Sequence, residues 1–383
     1  MLGGFSSTCL LCYELAMPKF KMLRLASVKV LLLWLVACNH TSLTPLPKVE
    51  QENHIVLVKE IQLTHDDWGL VRWSPDSSSL LLMKPSTGIT IENELLAVVN
   101  VENGLLHNVP QQGVGPIWSP DSNTLLIKSV SENKGEQFWL YSLKDTLSVS
   151  LTGIIGSPIL WLADGRLVYE ADDGLWSARL KLPIDDHSTQ QISATEHAFL
   201  VPFEGGRFTS RWSFPSPDLE SVVLYDGTND NDRKWWLVQP DHTLVNVNKP
   251  FYSIGTCCAW ARDGRYFAFF SGEPELGLYL VDKDGTNLRQ IITAKAIGDG
   301  VFVSMDFSPD SQTIAFEWST KSEGFPFENT QIYLVNSDGS GLRNLTPDTF
   351  PHHWLRWSPD GKYIAYFGEQ GKLWVAQVTT DKP

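Results

Sequence analysis

Four histidines are the residues in this sequence best suited to chemistry: His65, His197, His352 and His353. A neutral imidazole is a common ligand for zinc and its neighbours, and Asp66, Asp67 or Glu204 could add a carboxylate ligand or a base. None of the four shows His-x-x-x-His spacing, so a metal centre would have to be gathered from distant segments by the fold. The run DGTNDNDR (226–233) is rich in the hard oxygen ligands that calcium takes, but it misses the EF-hand pattern. Cys257 and Cys258 are adjacent in an apolar run. Successive strand side chains point to opposite faces, so a packed thiol at Cys258 is expected rather than a vicinal disulfide. The sequence contains no Gly-x-Ser-x-Gly, no Walker A loop and no dinucleotide fingerprint. No cofactor is expected.

The elements that position these groups must come from a chain of 383 residues with 43% hydrophobic and 19% charged content, a globular composition. The net charge is −14, and removing residues 1–37, which hold four Lys/Arg and one acid, leaves −17. A surface this acidic repels phosphate backbones, which excludes general nucleic-acid binding. It is equally unsuited to anionic lipid.

An address precedes the fold. Lys19, Lys21, Arg24 and Lys29 lead into VLLLWLVAC (30–38), a basic region followed by an apolar run too short to span a bilayer. Leu35-Val36-Ala37-Cys38 resembles the bacterial lipobox, which implies a signal peptide over residues 1–37 and a lipid on Cys38. Met17 or Met22 is an alternative start. The expected location is the cell envelope, with the chain lipid-anchored and facing the periplasm or the outside. Asn39 after the cysteine would permit outer-membrane sorting in an enteric-type host. Residues 38–54 are polar and Pro-bearing and read as a flexible tether.

From residue 55 to 378 one theme repeats seven times: VRWSPDSSSLLLM (71–83), PIWSPDSNTLLIK (116–128), ILWLADGRLVYEA (159–171), FPSPDLESVVLYD (214–226), CAWARDGRYFAFF (258–270), MDFSPDSQTIAFE (305–317) and LRWSPDGKYIAYF (355–367). The shared acids are Asp76, Asp121, Asp164, Asp218, Asp263, Asp310 and Asp360, at spacings of 45, 43, 54, 45, 47 and 50. Repeats of this length built from short strands point to propeller blades. Each unit divides into four strands. Pro and Asp build the turn between the first two, and the Asp carboxylate is placed to accept N–H groups just beyond it. Gly165, Gly264 and Gly361 follow the Asp where a positive φ is favoured. Three residues before it stand Trp73, Trp118, Trp161, Trp260, Phe307 and Trp357, with Pro215 in the fourth unit. A bulky ring at that place suits a wedge against the neighbouring sheet. The aromatics of the third strands, Trp139, Trp176, Trp236, Tyr279, Tyr333 and Trp374, are expected in the core as well.

The Trp-Ser-Pro-Asp-Gly element, intact in the seventh unit and nearly so in the first two, resembles the TolB-type propeller repeat, a WD-like family of bacterial envelope proteins. The resemblance implies an all-β, seven-bladed propeller of four-stranded antiparallel sheets in a single domain over residues 55–378. The seventh unit stops after its third strand, KLWVAQV (372–378), and residues 60–64 align with a fourth strand. The N-terminal strand is therefore expected to complete the last blade, which leaves no open edge. TolB itself carries a further N-terminal domain not expected here, so its partners are not carried over.

In such a fold the fourth-to-first connections and the second-to-third loops share one face. On it lie Trp68, Phe199, Phe203, Phe251, Tyr252, Phe325 and Phe327, which either plug the funnel mouth or meet a ligand or partner. The first reading is a monomeric, non-catalytic module that binds another envelope protein or a glycan and touches the membrane only through its anchor. The alternative is a metal-dependent enzyme, lyase-like on sugar acids or a hydrolase, since some propellers of similar repeat type are lyases on sugar acids. His65, His197, His352 and His353 would then serve as ligands at the mouth.

Overall fold

The computed structural model describes residues 54–62, 68–84, 94–131, 135–180, 191–202, 211–226, 234–239, 243–246, 254–272, 275–320, 329–346, 352–368 and 372–381. Among these the chain is all-β, with a 3-10 turn at Ala294–Ala296 and no α-helix. The first strand is β1 (His54–Gln62). Copy one of the repeat forms β2 (Gly69–Trp73), β3 (Ser79–Lys84), β4 (Glu94–Asn100) and the first half of β5 (Leu106–Trp118). Copy two takes the second half of β5, then β6 (Thr124–Ser131), β7 (Gly135–Ser142) and β8 (Leu147–Thr152). Copy three supplies β9 (Ser157–Trp161), β10 (Arg166–Ala171), β11 (Gly174–Arg179), β12 (Gln191–Ser193) and β13 (Thr195–Pro202). Copy four supplies β14 (Arg211–Pro215), β15 (Val222–Asp226), β16 (Lys234–Val238) and β17 (Leu244–Asn246). Copy five gives β18 (Ile254–Trp260), β19 (Tyr266–Ser271), β20 (Gly277–Asp282) and β21 (Arg289–Thr293). Copy six gives β22 (Val301–Phe307), β23 (Thr313–Ser319), β24 (Thr330–Asn336) and β25 (Arg343–Asn344). Copy seven ends the chain with β26 (His353–Trp357), β27 (Tyr363–Phe367) and β28 (Leu373–Asp381).

These strands pair into five four-stranded antiparallel sheets and one eight-stranded sheet, the latter running through β5, which pairs with β4 at one end and β6 at the other. Two pairings depart from simple repetition. β1 lies antiparallel on β28, from His54 opposite Asp381 to Gln62 opposite Trp374, so the first strand shares a sheet with the last three. β12 leaves its own copy and pairs in parallel with β8, so copy three lends a fifth strand to the edge of copy two.

The turn after each first strand shows why the repeat is spelled as it is. All seven Asp carboxylates accept the backbone N–H of the residue two positions on, at 3.0–3.1 Å. The residue between them has positive φ in every copy: Ser77, Ser122, Gly165, Leu219, Gly264, Ser311 and Gly361. In the five copies that read Ser-Pro-Asp, the serine hydroxyl donates to the Asp carboxylate, as from Ser74 to Asp76 at 2.6 Å and from Ser358 to Asp360 at 2.7 Å. Copies three and five lack that serine. There an arginine two places after the Asp closes the turn, Arg166 Nε reaching Asp164 at 2.7 Å and Arg265 Nε reaching Asp263 at 2.6 Å.

Packing follows the same period, because each sheet has two apolar faces to cover. Trp73, Trp118, Trp161, Phe307 and Trp357 are buried and Trp260 half-buried, and each buried cluster joins one copy to the next. Two polar links recur across these junctions. The indole N–H of Trp118 donates to Arg72 O at 3.2 Å, that of Trp260 to Phe214 O at 2.7 Å, and that of Trp73 to Arg356 O at 3.0 Å. The Asp backbone N–H reaches the serine of the following turn, from Asp76 to Ser122 and from Asp263 to Ser311 at 3.1 Å, and from Asp360 to Ser77 at 3.0 Å. The bonds joining copies one and two are thus repeated between copies seven and one. Of the six third-strand rings expected in the core, Tyr279 is buried, while Trp139, Trp176, Trp236, Tyr333 and Trp374 are half-buried.

Candidate functional site

The face opposite the Asp turns carries the connections between copies. His65, Phe203, Phe251, Tyr252, Phe325, Phe327 and Cys38 lie outside the described residues. Trp68 is 7% exposed and belongs to the cluster of Trp73, Leu80, Phe367 and Leu373, so it seals the junction of copies seven and one instead of offering a contact surface. Phe199 is 46% exposed and tilts against Trp176 with ring centroids 4.8 Å apart, a partly open aromatic pair on β13 and β11. The segment from His197 to Pro202, expected as a connection, is strand β13. Its pairing with β11 satisfies the backbone groups that a buried loop would leave open. Ile155, on the connection between β8 and β9, is 80% exposed.

The three candidate histidines among the described residues have different partners. His197 Nδ1 meets Tyr169 Oη at 2.9 Å and its Nε2 meets Ala194 O at 3.2 Å. His352 and His353 are buried at the start of β26; His352 Nδ1 bonds Thr330 O at 3.1 Å and its ring tilts against Tyr366. His353 Nε2 is buried with no hydrogen-bond partner. Burial, with a smaller push from His352, lowers its pKa to about 4, so it is neutral near pH 7. Among the described residues no three His, Cys, Asp or Glu side chains are grouped to hold a metal ion. Cys258 is half-buried and packs with Trp235 and Phe267.

The residues that reasoning from sequence missed are polar groups at the ends of the second strands. Seven positions after the repeat Asp the copies read Met83, Lys128, Ala171, Tyr225, Phe270, Glu317 and Phe367. Two ions in an otherwise uncharged column are a signal that aligning the copies exposes. Lys128 Nζ bridges to Ser157 of copy three at 3.1 Å and pairs with Glu136 at 2.6 Å. Glu170, next to Ala171, accepts a short hydrogen bond from Ser213 of copy four. Glu317 is fully buried on β23 and accepts the backbone N–H of Leu355, in copy seven, at 2.7 Å. Burial raises its pKa to about 7 against the opposing pull of the Leu355 N–H, Ser304, Arg356 and the Trp354 backbone.

No family model matches the chain. A chain in the crystal structure of a mitotic checkpoint complex is similar to it over 93% of this chain and 100% of its own, with a TM-score of 0.53 and 14% identity. At that identity the likeness concerns fold alone. The fold is propeller-like. No helix among the described residues is long and apolar enough to cross a membrane.

Proposed function

We propose that this protein is a seven-bladed, closed TolB-type propeller that works as a membrane-anchored, non-catalytic binding module for another envelope protein or a glycan. The observation that carries the reading is the asymmetry of the two faces. On one, seven alike Asp turns repeat, and three of their junctions share the same turn-to-turn bond; on the other, the connections differ from copy to copy and include the exposed Ile155. A rigid scaffold with variable loops at one face is the usual arrangement for recognition. Ring closure is supported by β1 on β28 and by the Trp73 and Asp360 bonds between copies seven and one. The similar chain belongs to a multiprotein complex, a use that suits this fold. The anchor rests on Leu35-Val36-Ala37-Cys38, and the address in the envelope follows from it.

Photo-crosslinkers placed at Ile155 and, as a control, at Ser78 in an Asp turn test the binding face. Capture of one envelope component from Ile155 alone is the expected result. Equal capture from both positions, or from neither, would remove the assignment. Cys38→Ala should release the chain from the membrane fraction. Stoichiometric metal in the purified protein, lost on His352→Ala, would overturn the non-catalytic reading in favour of a metal enzyme.

A further inference from the structure

The junction between copies six and seven places a buried carboxyl group against the bulge of a first strand. Trp354 adopts φ +57, a left-handed conformation that a bulky side chain rarely takes. The β26–β27 register shifts between His353 and Arg356, the sign of a bulge. A bulge frees backbone N–H groups from the ladder, and here a side chain from the neighbouring copy takes one of them. Glu317 Oε1 accepts the Leu355 N–H at 2.7 Å. Its other oxygen, Oε2, is buried with no hydrogen-bond partner. A carboxyl group so placed leaves one polar atom unsatisfied even while neutral, and a full negative charge on that buried oxygen is costlier still.

The surroundings compensate only in part: the Leu355 N–H, Ser304, Arg356 and the Trp354 backbone favour the charge, but burial outweighs them. From β22 the neighbouring side chain is Ser304, with Asp306 two residues on and already engaged by Arg262 at 2.9 Å and by the Trp357 N–H at 3.0 Å. From β24 the residue opposite is Ile332, and that strand carries no Asp, Glu, Lys, Arg or His. From β26 the charged group is Arg356, whose Nη1 donates to Leu355 O at 2.7 Å, with His352 and His353 at the start of the same strand.

We propose that Glu317 is a proton-operated latch: when protonated it holds the kinked Trp354–Leu355 backbone against copy six, and when ionised it loosens that junction. This goes beyond partner binding and does not depend on it. The sign follows from burial. The folded state raises the carboxyl above its ordinary value of 4.5, toward about 7. Its contribution to the junction is therefore complete below pH 4.5 and is lost as pH rises through about 7.

The test uses the full chain and its Glu317→Gln variant, which keeps an acceptor for Leu355 but cannot ionise. Amide hydrogen exchange at Leu355 is followed from pH 5 to pH 8. Taking the ratio of wild type to variant at each pH removes both intrinsic exchange chemistry and the opposing titration of His353. That ratio should rise by roughly fifty- to a hundredfold across the range, as a carboxyl group titrating near 7 in the closed junction and near 4.5 in the open one requires. A flat ratio overturns the latch. Should the variant not fold, infrared spectroscopy of the wild-type chain decides. A protonated-carboxyl C=O band that titrates near pH 7 supports the proposal, and its absence at pH 6 overturns it.

Discussion

Copy seven meets its two neighbours in different ways. Toward copy one it uses the repeated parts: the Trp73 indole on Arg356 O, the Asp360 N–H on Ser77, and an apolar cluster of Trp68, Trp73, Leu80 and Phe367. Toward copy six those parts are replaced. The Trp357 indole N–H is buried without a partner, and two carboxylates from copy six, Asp306 and Glu317, take the N–H groups of Trp357 and Leu355. The difference shows how one repeat can yield both a fixed seam and an adjustable one. Indole-to-carbonyl bonds carry no titratable group, so that link of the first seam is indifferent to pH. The second depends on an acid held in a dry place.

Deleting residues 54–62 should have the largest effect. It strips β28 of its outer partner, leaving only β27, and should lower the melting temperature by about 10 °C or more. A melt unchanged in calorimetry would mean that the seam between copies seven and one does not depend on β1. Trp73→Ala removes a buried ring and should cost about 3–5 kcal/mol in denaturant unfolding. The sharper contrast is conservative. Trp73→Phe loses a bonded indole and should cost about 1 kcal/mol, whereas Trp357→Phe removes an unbonded buried N–H and should cost close to nothing beyond packing. Equal penalties would erase the distinction between the seams.

The Asp turns give a smaller effect with a defined pH dependence. Asp164 is held below the ordinary carboxylate range first by the Arg166 N–H and then by its guanidinium, against slight burial. Its contribution is present above the unfolded value of about 3.8 and is lost as pH falls through the lower folded value. The group is largely exposed, so Asp164→Asn should cost only about 0.5 kcal/mol at pH 7 and should flatten the acid limb of a urea titration between pH 5 and pH 2. Smallest is Leu219, at φ +60 where other copies use Gly or Ser. Leu219→Gly should stabilise by roughly 0.5 kcal/mol, relief of the left-handed strain slightly exceeding the added chain entropy.

Much of the scaffold was legible in the sequence because its physics is local. A turn that needs an acceptor, a positive φ and a preceding donor is written as Ser-Pro-Asp-Gly, or with Arg when the serine is missing. The unexpected parts depend on distant neighbours. The path of β12 onto β8 is set by a sheet edge some forty residues earlier, and nothing in Gln191-Ile192-Ser193 declares it. Trp68 reads as a loop aromatic until Phe367 and Leu373 close over it. The column containing Glu317 was visible, but its burial depends on the first strand of the next copy. His197 likewise becomes a strand residue only through the pairing of β13 with β11.

The pairing of β1 with β28 also has a mechanical meaning. His54 lies opposite Asp381, so the start of the first strand and the finish of the last lie side by side. Tension applied between them would load the hydrogen bonds singly, starting from that end, like a zip pulled at its slider. The force needed to part them is then that of the few bonds at the moving front, and it hardly grows with strand length.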